Sequence, residues 1–288
     1  MVILALAAAI LYGSADFLGG LAARRASPLA VTAVTAPAGM LVLLAVLAGC
    51  AVLTWTGHGD ATLLAFGGWG AARWAIAGGV VGVSGLVVFF KGFASAPMSV
   101  VAPVAGLVST VVPVAVGIAG GERPSASVVA GAALCLTAIV LVSAQPGSGS
   151  GRLLSGLGYG IAAGAAFGVF YLCLKNAGHA AVLWPAVIQR LTGTIVMLGA
   201  VALTRTGRGG LDRRLLLLAG ASGAVDATAN VSYMFATRAG MFGLAVVISS
   251  LYPGATVLLA RVVLRERMRT PQRIGLLLAA AGIVLVTA

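Results

Sequence analysis

The amino-acid sequence predicts an all-α integral membrane protein: ten transmembrane helices arranged as two inverted five-helix repeats, residues 1–144 and 145–288. Three observations predict it. The chain is 60% hydrophobic and 8% charged, whereas roughly 25% of the residues of a soluble domain are charged. Its apolar runs recur at the length of about 20 residues that one bilayer crossing requires. The second half also repeats the first at an offset of 144 residues, aligning Glu122-Arg123 with Glu266-Arg267, Gly131 with Gly275 and Ile139-Val140-Leu141-Val142 with Ile283-Val284-Leu285-Val286. Nine of the 24 positions from Gly121 to Ala144 are identical to their counterparts, the signature of an internal repeat. Five crossings per copy is an odd number, so the second copy enters the membrane from the opposite side and is inverted.

Breaks at charges, prolines, glycines and polar clusters place the spans near 2–22, 28–53, 74–94, 98–120, 125–143, 153–175, 182–204, 214–237, 241–264 and 272–288. The first run continues past Asp16 without a small-residue cleavage site after a short core, so it reads as a membrane span and not as a removed leader. Pro28, Pro124 and Pro271 stand at or just before first helical positions, where the missing N–H costs nothing. The longest connection, Thr54 to Arg73, carries Trp55, Phe66 and Trp69 among glycines and is expected to lie in the lipid interface. Pro103, Pro113 and Pro253 are expected to kink the fourth and ninth helices. In the sixth span Gly156, Gly160, Gly164 and Gly168 form a small-residue ridge suited to close helix approach.

The formal charge of +12 does not point to nucleic acid. The cations sit at the ends of apolar runs, where Lys and Arg meet headgroups and set topology; they form no basic face interleaved with aromatics. Most of them follow odd-numbered spans, which by the positive-inside rule puts the termini outside. Cys50, Cys135 and Cys173 fall in separate apolar runs without CxxC spacing and read as packing residues. His58 and His179 lie in connections, and there is no HExxH, P-loop or nucleophile with a base at recognisable spacing. The sequence therefore argues against an enzyme, a cofactor or a metal centre. The expected partners are a small-molecule substrate and the lipid bilayer; monomer and homodimer stay open.

An ionisable side chain at the bilayer centre costs on the order of 2.5–3.5 kcal/mol, so each asks for a reason. Asp226 lies mid-way along the eighth span, and Ser222, Asp226, Asn230, Tyr233 and Thr237 recur every three or four residues, which puts them on one helix face. Such a stripe suits either the wall of a water-accessible path or structural hydrogen bonds to neighbouring helices. Asp16, with Tyr12 one turn before it, has a similar claim in the first span. Arg190, beside Gln189 in the seventh, can neutralise Asp226 or Asp16, bind an anionic substrate group as a planar fork, or snorkel to the nearer surface. Ser249, Ser250 and Tyr252 accompany Pro253 and are expected to shape the cavity. Lys91 and Arg261 lie nearer span ends and read as snorkelling, and Glu122 and Glu266 read as helix-end ion pairs with the adjacent Arg123 and Arg267.

Taken together, Gly121-Glu122-Arg123 closing the fourth span, Pro253 with Arg265-Glu266-Arg267 closing the ninth, the Gly-rich aliphatic fifth and tenth spans and Tyr12-Gly13-Ser14 in the first make the chain resemble the ten-span drug/metabolite transporters of the EamA-like type. Two departures stand out: Ser109 occupies the position that should mirror Pro253, and Arg265 replaces an expected glycine. The resemblance implies a secondary transporter, an exporter by this likeness, that moves a small metabolite or drug across the cell membrane by alternating access. It implies cytoplasmic termini, against the charge count. It also implies proton coupling, for which small four-span exporters of the wider superfamily use a first-span acid; the candidates here are Asp16 and Asp226. The expected substrate-binding residues are Tyr12, Asp16, Arg190, Ser222, Asp226, Asn230, Tyr233, Ser249 and Tyr252. The competing readings are a membrane-embedded enzyme or lipid-handling protein, with polar residues gathered at one interface, and a structural subunit whose intramembrane charges face another chain.

Overall fold

The computed structural model describes residues 2–121, 123, 125–143, 150–177, 183–204, 212–238, 251–266 and 270–287. Among them are the helices α1 (Val2–Ala23), α2 (Pro28–Trp55), α3 (Gly68–Ser95), α4 (Met98–Ala119), α5 (Ala126–Ser143), α6 (Ser150–Ala177), α7 (Leu183–Thr204), α8 (Arg213–Arg238), α9 (Tyr252–Val263) and α10 (Thr270–Thr287), with a short 3-10 helix at Ala61–Leu64. Seven of these, α1–α4 and α6–α8, are long and apolar enough to cross a membrane. The chain is a multi-pass membrane protein. The first half of the expected ninth span lies outside the described residues, and α9 is its second half.

Local chemistry sets the helix starts. At α2 the Ser27 hydroxyl accepts from the Ala30 N–H at 3.2 Å, with Pro28 at the first helical position. Helix α3 begins six residues before the expected start. The Gly-rich Gly67-Gly68-Trp69-Gly70 reads as a turn, but only Gly68, at φ 79°, takes a left-handed conformation, and the helix runs on from there. Trp69 therefore belongs to α3, and the connection shortens to Thr56–Gly67. Pro253 does not interrupt a described helix; it stands in the first turn of α9, whereas Pro103 and Pro113 lie within a continuous α4.

The helix pairings survive exchange of each helix for the one five later: α1 on α8 matches α6 on α3, α2 on α8 matches α7 on α3, and α1 on α9 matches α6 on α4. Helices α2 with α7, α4 with α9 and α5 with α10 pair across the exchange. The backbone keeps the repeat even where the sequence departs from it. Gly121 after α4 has φ 89°, and Arg265, its partner at the 144-residue offset, adopts φ 55° despite its side chain.

Small residues permit the closest approaches. Each glycine of the α6 ridge meets α4, Gly156 at Val101 and also at Ala96 just after α3, Gly160 at Val104, Gly164 at Ala105 and Val108 and Gly168 at Val112. A Cβ on Gly164 would stand 2.6 Å from the Ala105 carbonyl oxygen, so the two backbones must part to admit one. Gly164→Leu is expected to cost about 2 kcal/mol through overpacking, read as a lower unfolding temperature in detergent. An unchanged midpoint would show that the ridge carries no packing load.

Contacts also define the two ends of the bundle. One end gathers the last residues of α1 and α3, the start of α4 and the segment after α9, joined by Arg24, Phe93, Met98 and Glu266. The opposite end gathers the start of α1 with the end of α8, through Ala5 and Ala236. There too Trp184 of α7 donates its indole N–H to the Leu64 carbonyl at 3.0 Å and meets Phe66 edge-on.

Candidate functional site

Helix α8 carries its polar stripe into the middle of the bundle. The Arg190 guanidinium, from α7, is ion-paired through Nη2 with Asp226 Oδ2. Arg190 thus meets Asp226, one of the partners expected for it, and does not snorkel. One turn along α8, Asn230 donates its side-chain N–H to the Asp226 carbonyl at 2.9 Å and to Oδ2 at 3.4 Å. Room for the guanidinium comes from α2, where a Cβ on Gly39 would lie 2.9 Å from Arg190 Nη1. Gln189, the sequence neighbour, turns instead toward Gly78 of α3.

Four tyrosines from four helices surround the pair. Tyr12 of α1 and Tyr252 of α9 face one another with ring centroids 5.9 Å apart. Tyr12, Tyr171 of α6 and Tyr252 all lie within electrostatic range of Asp226, and Tyr12 and Tyr171 within that of Tyr233 on α8. Tyr171 is the member that sequence reading missed. It ends the aromatic run Phe167-Gly168-Val169-Phe170-Tyr171, and the polar residue one turn on, Lys175, belongs to the last turn of the helix, so no polar stripe flags it; its one signal is a hydroxyl inside an apolar span.

Accessibility separates these groups from a sealed core. Asp226 keeps 29% of its side-chain surface open, Arg190 18% and Tyr171 45%. Asp16 is placed differently. It is within electrostatic range of Asp226, and its Oδ2 is buried with no hydrogen-bond partner. Arg24, just past the end of α1, is held by Glu266.

One expected member, Ser222, does not join the cluster. Ser222 is 2% exposed and donates to the Ala15 carbonyl at 2.8 Å, so this end of the stripe fastens α8 to α1. Ser249 lies outside the described residues, as does Ser250. Thr256, not singled out in the sequence, donates to the Gly13 carbonyl at 3.3 Å and fixes α9 against α1. Glu266, expected to form a helix-end ion pair, makes a long-range one. Its carboxylate binds Arg24, 242 positions away, at 2.7 Å, and Arg267 lies outside the described residues. Glu122 likewise falls outside them. Lys91 caps the Tyr159 ring at 5.7 Å, and Arg261 is exposed near the end of α9. A groove lined by Pro103, Leu107, Pro253, Leu277, Ala280 and Ile283 is apolar and excludes every residue of the cluster.

The profile of the EamA-like transporter family matches this chain twice, over residues 1–144 and 154–288. No curated protein matches it. Among solved structures, one described only as a crystal structure of a protein superposes with a TM-score of 0.63 at 18% identity, covering 98% of this chain and 94% of its own. At that identity the likeness shows the fold alone.

Proposed function

The chain belongs to the EamA-like transporter family, and from that premise we propose that it is a secondary transporter of the cell membrane, exporting a small metabolite or drug by alternating access. Its two halves, divided near residue 144, are inverted five-span repeats that rock about a midplane cavity. The exchange symmetry of the helix pairings and the shared left-handed turn at Gly121 and Arg265 support this arrangement. The cavity is lined by Tyr12, Tyr171, Arg190, Asp226, Asn230, Tyr233 and Tyr252, with Asp16 beside it.

The observation that carries the reading is the accessible Arg190–Asp226 pair at mid-helix. Two ionisable groups inside a membrane each carry an insertion cost, and a fully enclosed pair repays its desolvation only where geometry and further hydrogen bonds satisfy both groups. This pair instead keeps open surface among four aromatic hydroxyls, an arrangement suited to exchanging protein contacts for substrate contacts. An enzyme or lipid-handling site would gather its polar groups at one headgroup level, and the cluster lies deeper.

The coupling ion is a proton carried by Asp16. Arg190 and Asn230 already satisfy Asp226, whereas Asp16 Oδ2 has no fixed partner. The test is solute flux in proteoliposomes under an imposed pH gradient, with candidates first selected by thermal shift. Accumulation that follows the gradient supports the proposal; a purified, folded protein that moves none of the solutes that stabilise it refutes it.

A further inference from the structure

The end of the bundle away from the 56–67 segment is shut by a small set of polar bonds between the two halves. Glu266, just past α9, receives Arg24 Nη2 on Oε1 at 2.7 Å. The same carboxylate accepts the Met98 N–H at 3.3 Å on Oε1 and the Ser99 N–H at 3.1 Å on Oε2, satisfying two of the donors left open at the start of α4. Arg24 is held on its other edge, its Nε donating to the Phe93 carbonyl at 3.1 Å at the end of α3. One carboxylate of the second half thus joins α1, α3 and α4 of the first. Arg265, left-handed at φ 55° although it is not glycine, makes the turn that brings Glu266 to these donors, a conformation that L residues rarely adopt.

Beneath the carboxylate the same end is dry. Phe90, Phe93 and Met98 are at most 1% exposed, and the Phe89 and Phe93 rings lie 4.2 Å apart. Gly20 of α1 abuts Phe93 and Met98 so closely that a Cβ would stand 2.5 Å from each. The polar cluster, by contrast, keeps its open surface. The chain is therefore described in a conformation closed at the Arg24–Glu266 end.

We infer that Glu266, with Arg24 and the first turn of α4, is the latch of the transport cycle: the bonds that hold this end shut and must break together before the cavity opens there. The inference rests on the alternating-access reading. Apolar packing alone would close this end without a preferred release point. A carboxylate bonded to three separate groups releases cooperatively, because each partner lost weakens the positioning of the others, and all of them regain hydrogen bonds from water once the end is open.

Thiol accessibility tests the latch without requiring transport. In a chain with Cys50, Cys135 and Cys173 replaced by Ala, Ser99→Cys places a thiol under Glu266 at a site that is 8% exposed. Adding Arg24→Gln is expected to raise its labelling by a membrane-impermeant maleimide about tenfold, the factor that corresponds to one lost charge-assisted hydrogen bond. Arg24→Lys, which keeps the charge, is expected to leave labelling slow. The control is Ala138→Cys, fully buried between α5 and α10. An unchanged rate at position 99, or an equal rise at position 138, overturns the latch, the second because it marks general loosening. Flux in proteoliposomes with no labelling response would sink the latch and spare the carrier; a labelling response in a protein that moves no solute would refute the carrier and overturn the latch as part of a transport cycle, leaving these bonds a structural clasp.

Discussion

Arg190→Ala is expected to cost about 2 kcal/mol or more of stability and to abolish transport. Removing one partner of a buried pair typically costs 3–5 kcal/mol because the other charge is stranded, and the figure is discounted here because 18% and 29% of the two side chains remain accessible. Asp226→Ala strands Arg190 and should cost a similar amount. The double variant Arg190→Ala with Asp226→Ala should recover most of the lost stability while transport stays absent, since no charge is left unpaired and no polar group remains to meet the substrate. Unfolding midpoints in detergent measure the first effect and proteoliposome flux the second. Transport by the double variant would remove the pair from the substrate site and leave it a structural bolt between α7 and α8.

Asp16→Asn is expected to remove the response of flux to a pH gradient while leaving exchange of substrate for substrate intact. The substitution keeps the side chain's volume and leaves the Thr256 bond to the Gly13 carbonyl untouched, so α1 and α9 should stay packed, but it cannot bind and release a proton. Asp226→Asn should do something else. It keeps the gradient response and weakens substrate binding, because the Arg190 guanidinium loses its charged partner and reorients. Gradient-driven accumulation by Asp16→Asn, or its loss in Asp226→Asn alone, would move the proton from α1 to α8.

Much of the architecture was legible before any coordinates. The spans follow from hydropathy, and the helix starts from residues such as Ser27 and Pro28, both properties of short windows. The stripe of Asp226, Asn230 and Tyr233 follows from helical periodicity alone. Errors arose where a local pattern had two readings. Gly67-Gly68-Trp69-Gly70 has turn composition yet becomes a helix start, and Ser222 has the period of the stripe yet lies where α8 meets α1. Arg265 reads as a break in the repeat, while its backbone keeps the left-handed turn that Gly121 makes in the first half.

The sequence by itself determined that the chain enters the membrane, how its spans recur in two related halves, and which residues are too polar to be there without a reason. Only the tertiary structure decided which of those residues meet. Arg190 lies 36 positions from Asp226 and Arg24 lies 242 from Glu266, while Tyr171 joins the cluster from a helix with no polar period. The reason is physical. Lipid and helix neighbours are equally apolar, so hydropathy fixes how deep a residue lies but not which way it faces. Rotation and register come from the small residues that let particular helices approach, such as Gly39 beside Arg190 and Gly164 against Ala105, and that complementarity exists only between surfaces already brought together.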